Sequence, residues 1–115
     1  MSIERVKKYF KRFGISGRIK ELDSSSATVE LAAQALNCEP ERIAKTLAFN
    51  VNEQIVLIVT AGDAKIDNHK YKTVFGLKAK MLSPEMVENL VGHAVGGVCP
   101  FGINENIAFF LDVSL

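Results

Sequence analysis

A chain of 115 residues, 48% apolar and 23% charged, has the length and balance of one soluble domain with a single core, spanning residues 1–115. No apolar run approaches the roughly 18 residues of a membrane helix, and the charged opening MSIERVKKYFKRFG lacks a signal-peptide core, so the expected setting is cytoplasmic with no membrane contact. The net charge of +1 conceals an imbalance, because residues 1–20 carry +6 and the remainder −5.

Ile3, Val6, Phe10 and Phe13 recur at helical spacing, with Lys7, Lys8, Lys11 and Arg12 turned the other way and Gly14 marking the stop. Arg18 to Leu22 is a short strand candidate, and a loop follows over 23–26. Thr28 is placed to N-cap a helix over VELAAQAL, and Asn37 to end it in a left-handed conformation. Pro40 suits the first turn of a short helix, PERIA. KTLAFNV and QIVLIVTAG, rich in apolar and β-branched residues, flank Asn52-Glu53 in the pattern of a hairpin. Residues 67–76 read as helix and 78–82 as extended chain. Ser83, Pro84 and Glu85 supply the N-cap, first position and acidic first turn of a helix to about Leu90. After GGVCPFG comes a last strand, IAFFLDV. The expected fold class is α/β (mixed α+β), with a partly antiparallel sheet flanked by helices.

Lys45 stands where ERIA meets the first hairpin strand. A lysine there either lays its stem over the sheet edge or holds a cation at the mouth of a cleft. GGVCPFG, residues 96–102, adds weight to the cleft. Gly96 and Gly97 let a ligand approach the main chain, and Pro100 stiffens the turn. The amides of Gly97, Val98 and Cys99 are then free to grip a carbonyl oxygen. The alternative is a tight structural turn. Cys99 invites a nucleophile reading with His93 six residues away. No Asp or Asn orienter accompanies them, so a small, half-apolar buried residue is the better account of Cys99. His93 either orients a ligand or is a satisfied loop histidine. Cys38, Cys99, His69 and His93 show no CxxC or HxxxH spacing, so no disulfide framework, metal site or cofactor is expected. The positive stretches, 1–20 and the one holding Lys65, Lys70, Lys72, Lys78 and Lys80, are either solvated faces or a footprint for a phosphate backbone.

Four segments, TVELAAQALNCEPERIAKTLAF, IVLIVTAGDAKID, MLSPEMVENLVGHAVGGVCPFG and AFFLDVSL, run in that order from about Thr28 to Leu115. Together they resemble the YbaK-type aminoacyl-tRNA deacylases, a family related to the editing domain inserted in bacterial proline-tRNA ligases. The resemblance implies a mixed sheet flanked by helices, a pocket between them, and removal of a wrongly attached amino acid from tRNA. It implies that Lys45 of the IAKT motif lies in that pocket and matters for activity, and that Gly96 and Pro100 line it with Gly97 between them. Thr46 follows the lysine as in the branch resembling the free-standing cysteinyl-tRNA(Pro) deacylase, where alanine-specific proteins more often carry Asn. Thr46, His93, Val98, Cys99 and Pro100 are accordingly expected around the substrate. Lys7, Lys8, Lys11, Arg12 and Lys70 are expected on the tRNA, with a proline-tRNA ligase as a further partner. Resembling proteins continue beyond the LDVSL strand with another pocket-lining stretch, so the chain is expected to be short at this end relative to the family.

An aminoacyl ester is already activated, so cleavage needs a grip on the carbonyl, stabilisation of its charge and access for a nucleophile. Amides of the Gly96–Pro100 loop are expected to hold the oxygen, Lys45 to supply a point charge, and water or a substrate thiol to attack. No protein nucleophile is required. Two other readings stay open at this stage: a non-catalytic module that binds a tRNA end or a synthetase, and a generic nucleic-acid binder using only the basic first helix.

Overall fold

Apolar and β-branched residues dominate positions 44–61, and in the computed structural model, which describes residues 2–115, they form the hairpin that organises the fold. β1 (Ala44–Val51) and β2 (Gln54–Ala61) pair antiparallel from Ala44↔Ala61 to Val51↔Gln54. Asn52 and Glu53 turn the chain with φ of 52° and 68°, the left-handed pair a two-residue hairpin requires, and Asn50 Oδ1 accepts the Glu53 amide at 2.9 Å. β3 (Ala108–Leu111) joins the other side of β2 in parallel, from Val56↔Ala108 to Val59↔Leu111, giving the order β1-β2-β3. The central strand is covered on both faces, which explains its unbroken apolar run.

Side-chain alternation divides the core into two layers. Ala48 and Leu57 pack with Leu82 and with Val87 and Val91 of α4 (Pro84–Val91). Phe49, Val56 and Ile58 turn the other way, onto Tyr71 of α3 (Asn68–Phe75). α2 (Val29–Leu36) starts where Thr28 Oγ1 accepts the Leu31 amide at 3.1 Å and stops at Asn37 in a left-handed conformation. α4 begins on Ser83, whose hydroxyl accepts the Met86 amide, with Pro84 in the first turn, and Gly92 ends it. α1 (Ser2–Lys11) precedes a single 3-10 turn at Ser16–Arg18. No described helix is long and apolar enough to cross a membrane.

The architecture is the expected mixed sheet flanked by helices, with four local corrections. Residues 19–22 form no strand; the chain closes a turn, Ile19 N–H to Ser16 carbonyl at 3.2 Å, and runs on irregularly without a partner strand. PERIA shrinks to a 3-10 turn at Pro40–Arg42, because β1 already begins at Ala44. Residues 78–82 contribute one antiparallel bridge, Phe49↔Met81, fastened by Asn50 N–H to Lys80 carbonyl (2.9 Å) and Leu82 N–H to Ala48 carbonyl (3.1 Å). The last strand is also shorter than IAFFLDV, keeping only Ala108–Leu111.

Candidate active site

α2, the first half of β1, the start of α4 and the loop after Gly92 enclose a cavity of about 270 Å³. Ala32, Ala48, Leu82 and Val87 give it an apolar floor, continuous with the core layer beneath α4. Lys45 and Thr46 stand on the β1 side, Gly96 and Val98 on the loop side, and Ala27 and Thr28 at the entrance to α2. Lys45 is half-buried and is the one ionisable side chain among the described residues lining this space. A lone cation over an apolar floor suits a ligand that carries or develops negative charge at one end.

The edge of β1 adds main-chain groups that sequence reasoning did not single out. Ala48 carbonyl and Asn50 amide point away from β2 to meet Leu82 and Lys80. Alternation then directs the amide and carbonyl of Thr46 to the same outer edge, where the cavity lies and no strand pairs with them. The periodicity signal for β1 was present in the sequence, but not which side of the strand would be left open.

On the loop side, Gly96 takes φ of 93°, and an added Cβ would stand 3.2 Å from Ala27 Cβ, so glycine serves both the turn and its close approach to the entrance of α2. The neighbouring amide corrects the expectation for Gly97. Its N–H closes a turn on Ala94 carbonyl at 2.9 Å and is therefore not a free donor. The amides of Gly96 and Val98 donate no hydrogen bond among the described residues.

His93, which precedes the loop, and Cys99 and Pro100 within it are not among the residues that line the cavity. His93 is fully buried, with Nε2 2.7 Å from Phe101 carbonyl. That contact requires Nε2 to carry the proton, which leaves Nδ1 buried without a partner among the described residues. Cys99 Sγ lies 3.7 Å from the same Nε2 and 3.6 Å from Phe101 carbonyl. A protonated Nε2 offers no lone pair to a thiol, and burial pushes the Cys99 thiol above its ordinary range. The pair is a structural knot rather than a nucleophile and base, and His93 does not touch the cavity as a ligand-orienting residue would.

The family profile of the aminoacyl-tRNA editing domain matches residues 23–115. The chain belongs to that family. A relative in Bacillus subtilis, the uncharacterized protein YwhH, is 47% identical over 116 residues, an alignment that takes in 100% of this chain and 74% of YwhH. The proline-tRNA ligase of Bacillus cytotoxicus is 33% identical over 85 residues, covering 73% of this chain and 15% of the ligase. Among solved structures, one described as a "putative trans-editing enzyme for prolyl tRNA synthetase" superposes with a TM-score of 0.83 at 32% identity, over 95% of this chain and 70% of that one. The hypothetical protein APE2540 gives 0.82 at 26% identity, over 94% and 73%.

In this editing domain Lys7, Lys8 and Lys11 are exposed on α1 and Arg12 in the turn that follows it, with Lys7 paired to Glu21 at 3.1 Å and the Arg12 guanidinium 5.9 Å from the Tyr9 ring centroid. Lys70 is exposed on α3, which packs on the sheet face opposite the cavity floor. Lys70 therefore lies on the far side of the sheet from the cavity. Sequence reading also missed Ala27, Thr28 and Val87 as walls, since each looks like ordinary capping or core material. Arg5 was counted only as charge; its structural signal lies in Gly92 and Asn104, far away along the chain.

Proposed function

We propose that this editing domain is a deacylase that removes a small, wrongly attached amino acid, of cysteine or alanine type, from tRNA(Pro), acting in trans or beside a proline-tRNA ligase. One observation carries the reading: Lys45 lines the same cavity as Gly96 and Val98, above a floor of Ala32, Ala48 and Val87. The aminoacyl group enters side chain first, onto that floor. Its ester carbonyl oxygen meets the free amides of Gly96 and Val98, and Lys45 adds a positive charge to the oxyanion or to the terminal phosphate. Water adds to the carbonyl carbon, the ester C–O bond breaks, and the ribose oxygen leaves as a hydroxyl. A substrate thiol replaces water where the amino acid has one. The exposed cations of α1 hold phosphates, which makes affinity salt-dependent.

The test is turnover of mischarged tRNA(Pro) with protein well below tRNA concentration. Lys45→Ala is expected to slow deacylation by at least about a hundredfold, the scale of one lost oxyanion contact, with an unchanged thermal midpoint. Deacylation by the variant at the parent rate would overturn the assignment. Binding without any turnover by the parent would leave a non-catalytic tRNA module instead.

A further inference from the structure

The hydrogen bonds that fasten the loop walling the cavity lie almost entirely behind it. Among the described residues, no hydrogen bond joins positions 95–100 to β1 or α2; the inner end has only its own turn, Gly97 to Ala94. At the outer end two successive carbonyls are held. Phe101 carbonyl accepts from His93 Nε2 at 2.7 Å, and Gly102 carbonyl accepts from Arg5 Nε at 2.8 Å. Arg5 Nη2 donates to Asn104 Oδ1 at 2.7 Å, and Asn104 is tied in turn to the end of α4, through its amide to Val91 carbonyl (3.0 Å) and its Nδ2 to Leu90 carbonyl (2.9 Å).

Packing follows the same line. Phe10 meets Phe101 edge to face, with centroids 4.8 Å apart, and the Arg5 guanidinium occupies the space a Cβ on Gly92 would need. Val98 itself packs on the core layer of Ala48, Leu82 and Val87, so apolar contact holds the middle of the loop while the polar ties at Phe101 and Gly102 fix its outer end.

We infer that Arg5 and His93 are positioning residues, which hold Gly96 and Val98 opposite Lys45 by gripping the Phe101 and Gly102 carbonyls, so that the first helix is a working part of the active site as well as a charged handle. The inference deepens the deacylase reading and rests on it for its kinetic arm alone. Arg5 faces the loop, whereas Lys8 and Lys11 of the same helix, and Arg12 in the turn after it, are exposed and available to phosphates, and Lys7 is exposed beside Glu21. A nucleic acid seated on that helix therefore bears on the loop through Arg5.

The experiment measures backbone order parameters at Gly96 and Val98, and hydrogen exchange at the Gly97 amide, with Leu57 and Val59 as core references. The variants are Arg5→Ala, Arg5→Lys, His93→Ala and His93→Gln. The alanine variants should drop the loop from the rigid range near 0.85 to below about 0.6, and speed Gly97 exchange about tenfold with the core unchanged. His93→Gln keeps a nitrogen donor able to reach Phe101 carbonyl and should restore the parent values. Arg5→Lys keeps the charge but not the two-pronged grip, and should fall between parent and alanine. In turnover, the alanine variants should lower kcat about tenfold or more with KM little changed, as misplacement of a catalytic contact does.

Loop order unchanged in Arg5→Ala and His93→Ala would overturn the inference. So would equal acceleration of loop and core exchange in the lysine and glutamine variants, which also stand in if the alanine variants do not fold. Absence of turnover in the parent protein would sink the deacylase reading alone, because the order parameters decide the positioning role of Arg5 and His93 without it.

Discussion

The two edges of the sheet are both rich in apolar residues, β3 more than β1, and end in opposite states. Along β1, Phe49 bridges to Met81, Ala48 lies beneath Leu82 and Val87, and α2 with the glycine loop closes the rest into a cavity. Along β3, Phe109, Phe110 and Leu111 are 53%, 45% and 66% exposed, and Val113 just beyond is fully so. The covered edge draws its walls from α2, earlier in the chain, and from residues 81–98, well after it. The bare edge is a short strand paired only with β2, with Phe110 edge to face on Phe75 of α3 at 5.5 Å. Apolar content fixes what a segment prefers, whereas cover depends on which other segments arrive.

The comparison can be broken first at its centre. Leu57→Ala removes a side chain with no exposed surface from the strand both edges share, and is expected to cost about 2–5 kcal/mol by denaturant titration. A loss under about 0.5 kcal/mol, the range of an ordinary surface change, would mean that the layer beneath α4 is not the principal core. On the covered side, Gly92→Ala forces a Cβ into the Arg5 guanidinium at a φ of 102°, and about 1–3 kcal/mol should go, visible as a lower midpoint together with displaced amide resonances at Gly102 and Asn104. Thr28→Ala strips the N-cap from the helix that forms the cavity entrance and should cost about 1 kcal/mol; an unaltered midpoint would show that packing alone holds α2 in place. Least of all, Leu111→Ser on the bare edge should change stability by no more than about 0.5 kcal/mol. A larger loss there would show that β3 is covered in solution, and sedentary apolar contacts rather than sheet pairing would then explain it.

Local signals were legible where one short segment decides its own conformation. Thr28 and Ser83 cap their helices as read, Asn37 takes the left-handed stop, and Asn52-Glu53 turn the hairpin. The failures share a cause. Residues 18–22 have strand composition without a partner, and the shape of 78–82 depends on β1 offering a single bridge. At the site, Lys45, Thr46, Gly96 and Val98 come to one cavity, while Gly97 is used up by its own turn and His93 sinks behind the loop. Spacing shows that a histidine stands near a glycine turn, but not on which side of the turn its ring is buried.

By itself the sequence determined the elements, their caps, the hairpin and the chemistry available at Lys45 and the glycine loop, because these follow from propensity and from neighbours within a few positions. Only the tertiary structure decided which edge of the sheet is closed, which loop amides are free and that Arg5 reaches across from the first helix to hold Gly102. Such contacts join residues nearly a hundred positions apart, and their formation depends on the packing of the whole chain rather than on any local pattern.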